Sequence, residues 1–210
     1  MSRNFLLPLL AFALSVAYAQ DKGARAEAPR QEGFQEQAFV SGGDIQFDLS
    51  AGDYDFTSSP DNHLRVSWRW EDSQSSRRGL SPVVKAQINV KGRNATVTTD
   101  GPHNNIHYLV EVPKSANLVV RLSAGDLRIA EIEGNKDVQI HAGDVRIAVG
   151  DPQRYSQVDL SVKAGDLNAQ PFGGSKDGLF RSFHWTGKGT YQLRVHLDAG
   201  DVNLVTSDSI

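Results

Sequence analysis

The chain has 210 residues, enough for one domain with a substantial core. It carries a net charge of −3, which argues against nucleic acid as a partner because that would call for a concentrated basic face. The absence of cysteine excludes a disulfide framework, thiol catalysis, thiolate metal sites and a lipid-modified cysteine at an export cleavage site.

In chain order, Ser2-Arg3-Asn4 reads as a short basic start, Phe5 to Val16 as an apolar stretch and Ala17-Tyr18-Ala19 as a small-residue cleavage site before Gln20. Residues 1–19 are therefore expected to be a cleaved export signal, too short in its apolar part for a membrane anchor. Without the signal, which holds one basic residue, the net charge is about −4. No membrane span is expected in the mature chain. Residues 20–33 mix charges with Ala, Gly and Pro and read as a flexible linker. "HLRVSWRWE" at 63–71 alternates, placing Leu64, Val66, Trp68 and Trp70 on one face of a strand and the two tryptophans in the core. A polar loop at 72–82 leads to "VVKAQINV", and "IHYLVEVP" ends as a strand at Pro113. No segment keeps helical spacing over three turns. Thr206 to Ile210 read as a frayed end.

The tripeptide Ala-Gly-Asp occurs five times, with its glycine at Gly52, Gly125, Gly143, Gly165 and Gly200. Aligned on that glycine, the positions three, five and seven before it are apolar, except for Lys136 in the third copy. Two and four residues after it the apolar side chains resume, as in Leu127 and Ile129. Each arm alternates like a strand with one buried face. Across the glycine the inward positions are five apart, an odd step that would turn a straight strand to its other face. One residue must be absorbed in a kink, and glycine reaches positive φ without a Cβ penalty. Ala-Gly-Asp is thus a corner between two strands, with Ala leaving room and Asp53, Asp126, Asp144, Asp166 and Asp201 bonding nearby amides. Successive glycines are 73, 18, 22 and 35 residues apart. The two short spacings suit single coils of a parallel β-helix, 73 about four coils, and 35 two coils or one with an insertion at 171–183. "VKGRNATV" at 90–97 reads as a degraded copy. The expected fold is all-β, a single-stranded right-handed β-helix or β-roll solenoid over residues 34–206. The alternative is a two-sheet β-sandwich whose hairpins reuse one turn.

The stretch 107–147, "HYLVEVPKSANLVVRLSAGDLRIAEIEGNKDVQIHAGDVRI", resembles the bacterial putative-adhesin domain of unknown function, and the likeness is clearest over 107–168. It rests on a strand ending in Val-Pro followed by serial Gly-Asp corners. The resemblance implies a right-handed β-solenoid on an exported bacterial protein, and no catalytic residues. This chain departs from the family's commoner Ser-Gly-Asp by using Ala.

The five aspartates could lie about 5 Å apart if coils stack. They read as turn caps, since calcium-binding solenoids use denser glycine and aspartate at a strict period. No metal and no cofactor is expected. His103 and His107 make at most half a zinc site. Outward Arg121, Arg128, Arg146 and Arg194 could serve an enzyme's carboxylates, but a solvated sheet needs charged outer positions anyway. Phe180, Phe183, Trp185 and Tyr191 cluster near a glycine-rich turn, as a contact surface for sugars or proteins or as a cap over the end of the core. Taken together, the sequence predicts an exported, non-catalytic envelope or surface protein, located in the periplasm or at the cell surface. Its partner is an unidentified envelope protein or polysaccharide. The competing expectation is a polysaccharide lyase or hydrolase on the same scaffold.

Overall fold

The computed structural model describes residues 30–71, 83–102, 105–130, 132–176 and 178–206. The expected signal, the loop at 72–82, His103 and most of the C-terminal end lie outside these residues. The first strands are β1 (Arg30–Ala38), β2 (Gly43–Leu49), β3 (Asp53–Ser59), β4 (His63–Glu71), β5 (Lys85–Lys91) and β6 (Asn94–Asp100). There follow β7 (Ile106–Pro113), β8 (Ala116–Ala124), β9 (Leu127–Ile129), β10 (Lys136–Ala142), β11 (Val145–Ala148) and β12 (Tyr155–Ala164). The last are β13 (Leu167–Ala169), β14 (Gly174–Lys176), β15 (Leu179–Thr186), β16 (Tyr191–Ala199) and β17 (Val202–Val205). β1 begins at Arg30, inside the stretch read as linker.

The strands form two mixed sheets. Sheet A runs β1-β4-β7-β3-β9-β11-β17-β13-β14, and sheet B runs β15-β12-β16-β10-β8-β2-β6-β5. Side chains from the two sheets meet in one core, as where Phe47 of β2 sets its ring edge-on to Phe56 of β3 at 4.8 Å. Each Ala-Gly-Asp carries the chain from a strand of sheet B into a strand of sheet A, for example from β8 through Gly125 into β9. All twenty-five inward positions of the aligned repeats are buried. The pairing register matches that alignment: Leu118, Lys136, Leu193 and Val158 stand in one row across β8, β10, β16 and β12. Lys136 therefore occupies a core position. Its Nζ donates to the Ile132 carbonyl, to Gly134 O at 3.2 Å and to the Tyr155 hydroxyl at 3.5 Å, so burial does not leave the ammonium unpaired.

The expected single-stranded β-helix is not what forms. Winding coil by coil would stack the strands in chain order and leave all of them parallel. Here the layers β2/β3 and β6/β7 are interchanged, as are β12/β13 and β16/β17, and β1, β4, β5, β14 and β15 pair antiparallel. Two mixed sheets face to face answer to the alternative given above. The physical cause lies in the reversals: β3 turns back tightly into β4, and β13 into β14, so the chain leaves the winding and returns on the far side of its predecessor. The 73-residue spacing accordingly holds one further two-strand layer, β6/β7, plus hairpin arms rather than four coils. The stretch at 171–183 does enter as an insertion, supplying β14 and the first half of β15. Gly92, read as a degraded corner, sits at the tip of the β5–β6 hairpin, where antiparallel partners Lys91 and Asn94 flank it. The corner alanines differ among themselves: Ala142 and Ala199 are exposed, whereas Ala51, Ala124 and Ala164 are half-buried. Trp70 is core, whereas Trp68 is half-buried with its ring over Gly33.

The five corner glycines have φ between +120° and +154°. The stronger demand on them comes from the next layer. A Cβ on Gly143 would lie 2.1 Å from the carbonyl oxygen of Gly125, and one on Gly200 2.0 Å from that of Gly143. At Gly52 the nearest atom would be Ile106 Cγ2, at 3.0 Å. Gly143→Ala should therefore cost about 3 kcal/mol or more, from positive φ together with overlap on backbone. Gly52→Ala should cost about 1–2 kcal/mol, from φ alone with a side chain that can yield. Urea unfolding of both variants checks the order; equal losses would contradict the layer-contact argument.

Candidate functional site

The corner aspartates form a ladder in the order of the layers, not of the chain. Asp53 Oδ1 accepts from the backbone N–H of Asp126 at 3.3 Å, and Asp126 Oδ1 from that of Asp144 at 3.2 Å. Asp144 Oδ1 accepts from Asp201 N–H at 3.0 Å and Asp201 Oδ1 from Asp166 N–H at 2.8 Å. Asp166 Oδ1 closes the series on Gly178 N–H at 3.4 Å. Each carboxylate thus caps an amide of the neighbouring layer rather than one of its own turn. In the β7 layer His107 takes the aspartate's place, with its Nδ1 3.5 Å from Asp53 Oδ2. Among the described residues no group of three or more His, Cys, Asp or Glu is placed to hold a metal ion.

The predicted aromatics divide. Phe183, Trp185 and Tyr191 are half-buried and pack on the end of the core, with Trp185 4.8 Å from Phe172 and Tyr191 6.1 Å from Tyr155, ring to ring. Arg154 fixes Tyr191 from outside, bonding its hydroxyl at 2.8 Å while pairing with Glu133 at 2.8 Å. That pairing raises the Arg154 pKa and holds the Glu133 carboxyl below the usual carboxylate range. Phe180 stands apart, 80% exposed. The outward arginines pair across strands: Arg121 with Asp48 at 3.9 Å, Arg128 with Asp55 at 3.5 Å and Arg194 with Asp137 at 3.4 Å.

The densest polar constellation was not singled out from the sequence. On the outer face of sheet B, β10, β16 and β12 lie side by side and bring His141, Asp198 and Lys163 together. Asp198 is the hub. It lies 2.9 Å from His141 Nδ1, 2.6 Å from Lys163 Nζ and 3.2 Å from His196 Nε2. The His141 bond, then Lys163, draws its carboxyl well below the ordinary range. His196 reaches Ser161 Oγ through Nδ1 at 2.7 Å. Nearby, Asp159 is held low by His184 at 2.5 Å. His141, Lys163, His196 and Asp198, with Arg121 and Asp48, border an open depression of about 470 Å³. His196 links Ser161 to Asp198 in a serine–imidazole–carboxylate chain. It lies on a continuous sheet whose backbone amides are engaged in the β12–β16 ladder. The carboxylates of this constellation are each tied to a basic side chain on a neighbouring strand.

A signal for this cluster exists in the repeats. Two residues before the glycines stand Ser50, Ser123, His141, Lys163 and Asp198. Chain order puts Lys163 between His141 and Asp198; the interchanged layers put Asp198 in the middle.

No family model matches the chain, and no curated protein matches it. Its fold is similar to that of a solved structure from Clostridium sporogenes described as a putative cell adhesion protein. The two are 13% identical over 84% of this chain and 99% of that one, with a TM-score of 0.52. At that identity the likeness concerns the fold alone. A putative adhesin from Parabacteroides merdae, 10% identical, covers 83% of this chain and 96% of its own at a TM-score of 0.22, which carries no argument.

The Asp198 pairing has a defined pH signature. A carboxyl held low in the folded state stabilises above the unfolded value, about 3.9, and that contribution is lost as pH falls through the folded value. The stability difference between the wild type and Asp198→Asn should therefore be largest above pH 4 and shrink steadily below it, as read by urea unfolding. A difference independent of pH would show that the hub is not electrostatic.

Proposed function

We propose that this protein is an exported, non-catalytic module of the bacterial envelope or surface, a divergent relative of the Gly-Asp corner adhesin-like domains. Its stacked sheets serve as a scaffold, and the outer face of sheet B is its contact surface for an envelope protein or polysaccharide. The observation that carries this reading is the state of the charges on that face. Asp48, Asp137 and Asp198 are each engaged by a cation on a neighbouring strand and Asp159 by the His184 imidazole, giving a preorganised lattice of paired polar groups. Such a surface recognises a polar partner by complementary pattern at little entropic cost. An enzyme acting on polysaccharide needs instead two carboxyl groups, or a carboxyl and a base, set across a cleft from one another. The fold likeness to a protein described as an adhesion protein and the export signal expected at 1–19 support the same reading. No helix among the described residues is long and apolar enough to cross a membrane.

The test is binding of the purified protein to isolated envelope polysaccharides and purified envelope proteins, with Arg121→Gln/Lys163→Gln as the surface variant. The double variant should weaken binding by about tenfold or more while its melting temperature shifts little, since both side chains are solvent-exposed. Release of new reducing ends or unsaturated sugars from any polysaccharide would overturn the non-catalytic reading.

A further inference from the structure

Sheet B ends at β15, and this edge is built unlike the other three. β14 has three residues, β5 carries Lys85 and Lys91 at its two ends, and β1 carries Glu32 and Glu36. Shortness and charge are the usual means by which an edge strand avoids pairing with another chain. β15 has eight residues, no glycine or proline within it and one fixed charge, Arg181. The Gly187 N–H bonds to Ser156 O at 2.9 Å, which sets the odd-numbered residues of β15 in hydrogen-bonded register with β12. The N–H and C=O groups of Ser182, His184 and Thr186 therefore point away from the sheet, while the pairing register skips Phe180. Lys176 Nζ reaches the Ser182 carbonyl at 2.5 Å, and no strand covers the edge among the described residues. At the start of this edge Leu179 and Phe180 are 64% and 80% exposed, and Phe180 holds a φ of +52°, which an L-aromatic residue adopts only at a cost.

We propose that β15 pairs antiparallel with β15 of a second copy of this chain, making sheet B continuous across a two-fold axis. Centring the pair on Ser182 sets Phe180 opposite the second copy's His184, Leu179 opposite its Trp185 and Arg181 opposite its Phe183. Each exposed apolar side chain then meets a ring, and the one fixed cation meets an aromatic face rather than its own image. The strand is thus complementary to itself, as a two-fold interface requires. The lysine-ended β5 and the glutamate-bearing β1 offer no such match. Lys176 releases the Ser182 carbonyl, which takes the second copy's Ser182 N–H instead.

Sedimentation of the purified protein over about a hundredfold range of concentration tests this. The wild type should pass from monomer to dimer. Ser182→Pro removes the central outward N–H and leaves the β12 ladder intact, because Ser182 does not donate to it. It should weaken the dimer at least about tenfold. Phe180→Asn, which suits positive φ, should weaken it less while leaving the melting temperature unchanged or raised, and it carries the test if the proline variant does not fold. A wild type that stays monomeric throughout, or a dimer that Phe180→Asn and a folded Ser182→Pro leave unchanged, overturns the proposal.

Discussion

The fold depends on backbone touching backbone at the corners. The carbonyl oxygen of one corner glycine lies where the next layer's glycine would carry its Cβ, so successive layers approach more closely than any side chain permits. That approach lets the amide of Gly125 bond Ala142 O, Gly143 bond Ala199 O and Gly200 bond Ala164 O, each at 2.9–3.0 Å. The hydrogen-bond ladders of sheets A and B are thereby joined through the bend instead of ending at it. The residue absorbed there returns the chain to the same core, which is why apolar side chains five apart across the glycine all face inward. The aspartate that follows each glycine extends the same logic. Its carboxylate caps an amide of the next layer, so each of the five acidic groups is held by a backbone donor.

How much of this was legible follows from what is local and what is not. The odd offset across each glycine, the inward columns and the strand alternation are properties of single repeats, and they translate directly into pairing register. Lys136, the one exception in the columns, marked the place where a buried ammonium is satisfied by the 132–134 turn and Tyr155. The stacking order is a different kind of information. It is set by whether the chain reverses after a layer, and the reversals after β3 and β13 involve short turns with no Ala-Gly-Asp signature. A strict winding was therefore inferred where two layers at each end are interchanged. Gly92 misled for a related reason: hairpin tips and corners both call for glycine at positive φ.

The same distinction explains the site. His141, Lys163 and Asp198 share an outward column in the aligned repeats, but their roles depend on which layers touch. With β16 between β10 and β12, Asp198 becomes a hub for two imidazoles and an ammonium; in chain order it would have been remote from His141. Lys136 apart, the inward columns are confined to apolar residues by packing, while the outward columns of one rigid frame are free to vary. Function on such a frame is written across strands rather than along them. The aromatic cluster at the far end mostly closes the core, and what it leaves exposed lies on the open edge beside it.

Hydrogen exchange at the corner amides examines the central claim most directly. If layer-to-layer contact through the glycines organises the fold, the amides of Gly125, Gly143 and Gly200 open only with the whole molecule and exchange as slowly as that of Val138 in the middle of β10. Exchange at those glycines as fast as at Gly92 on its hairpin tip would show that the corners are surface turns, with the sheets held together without them.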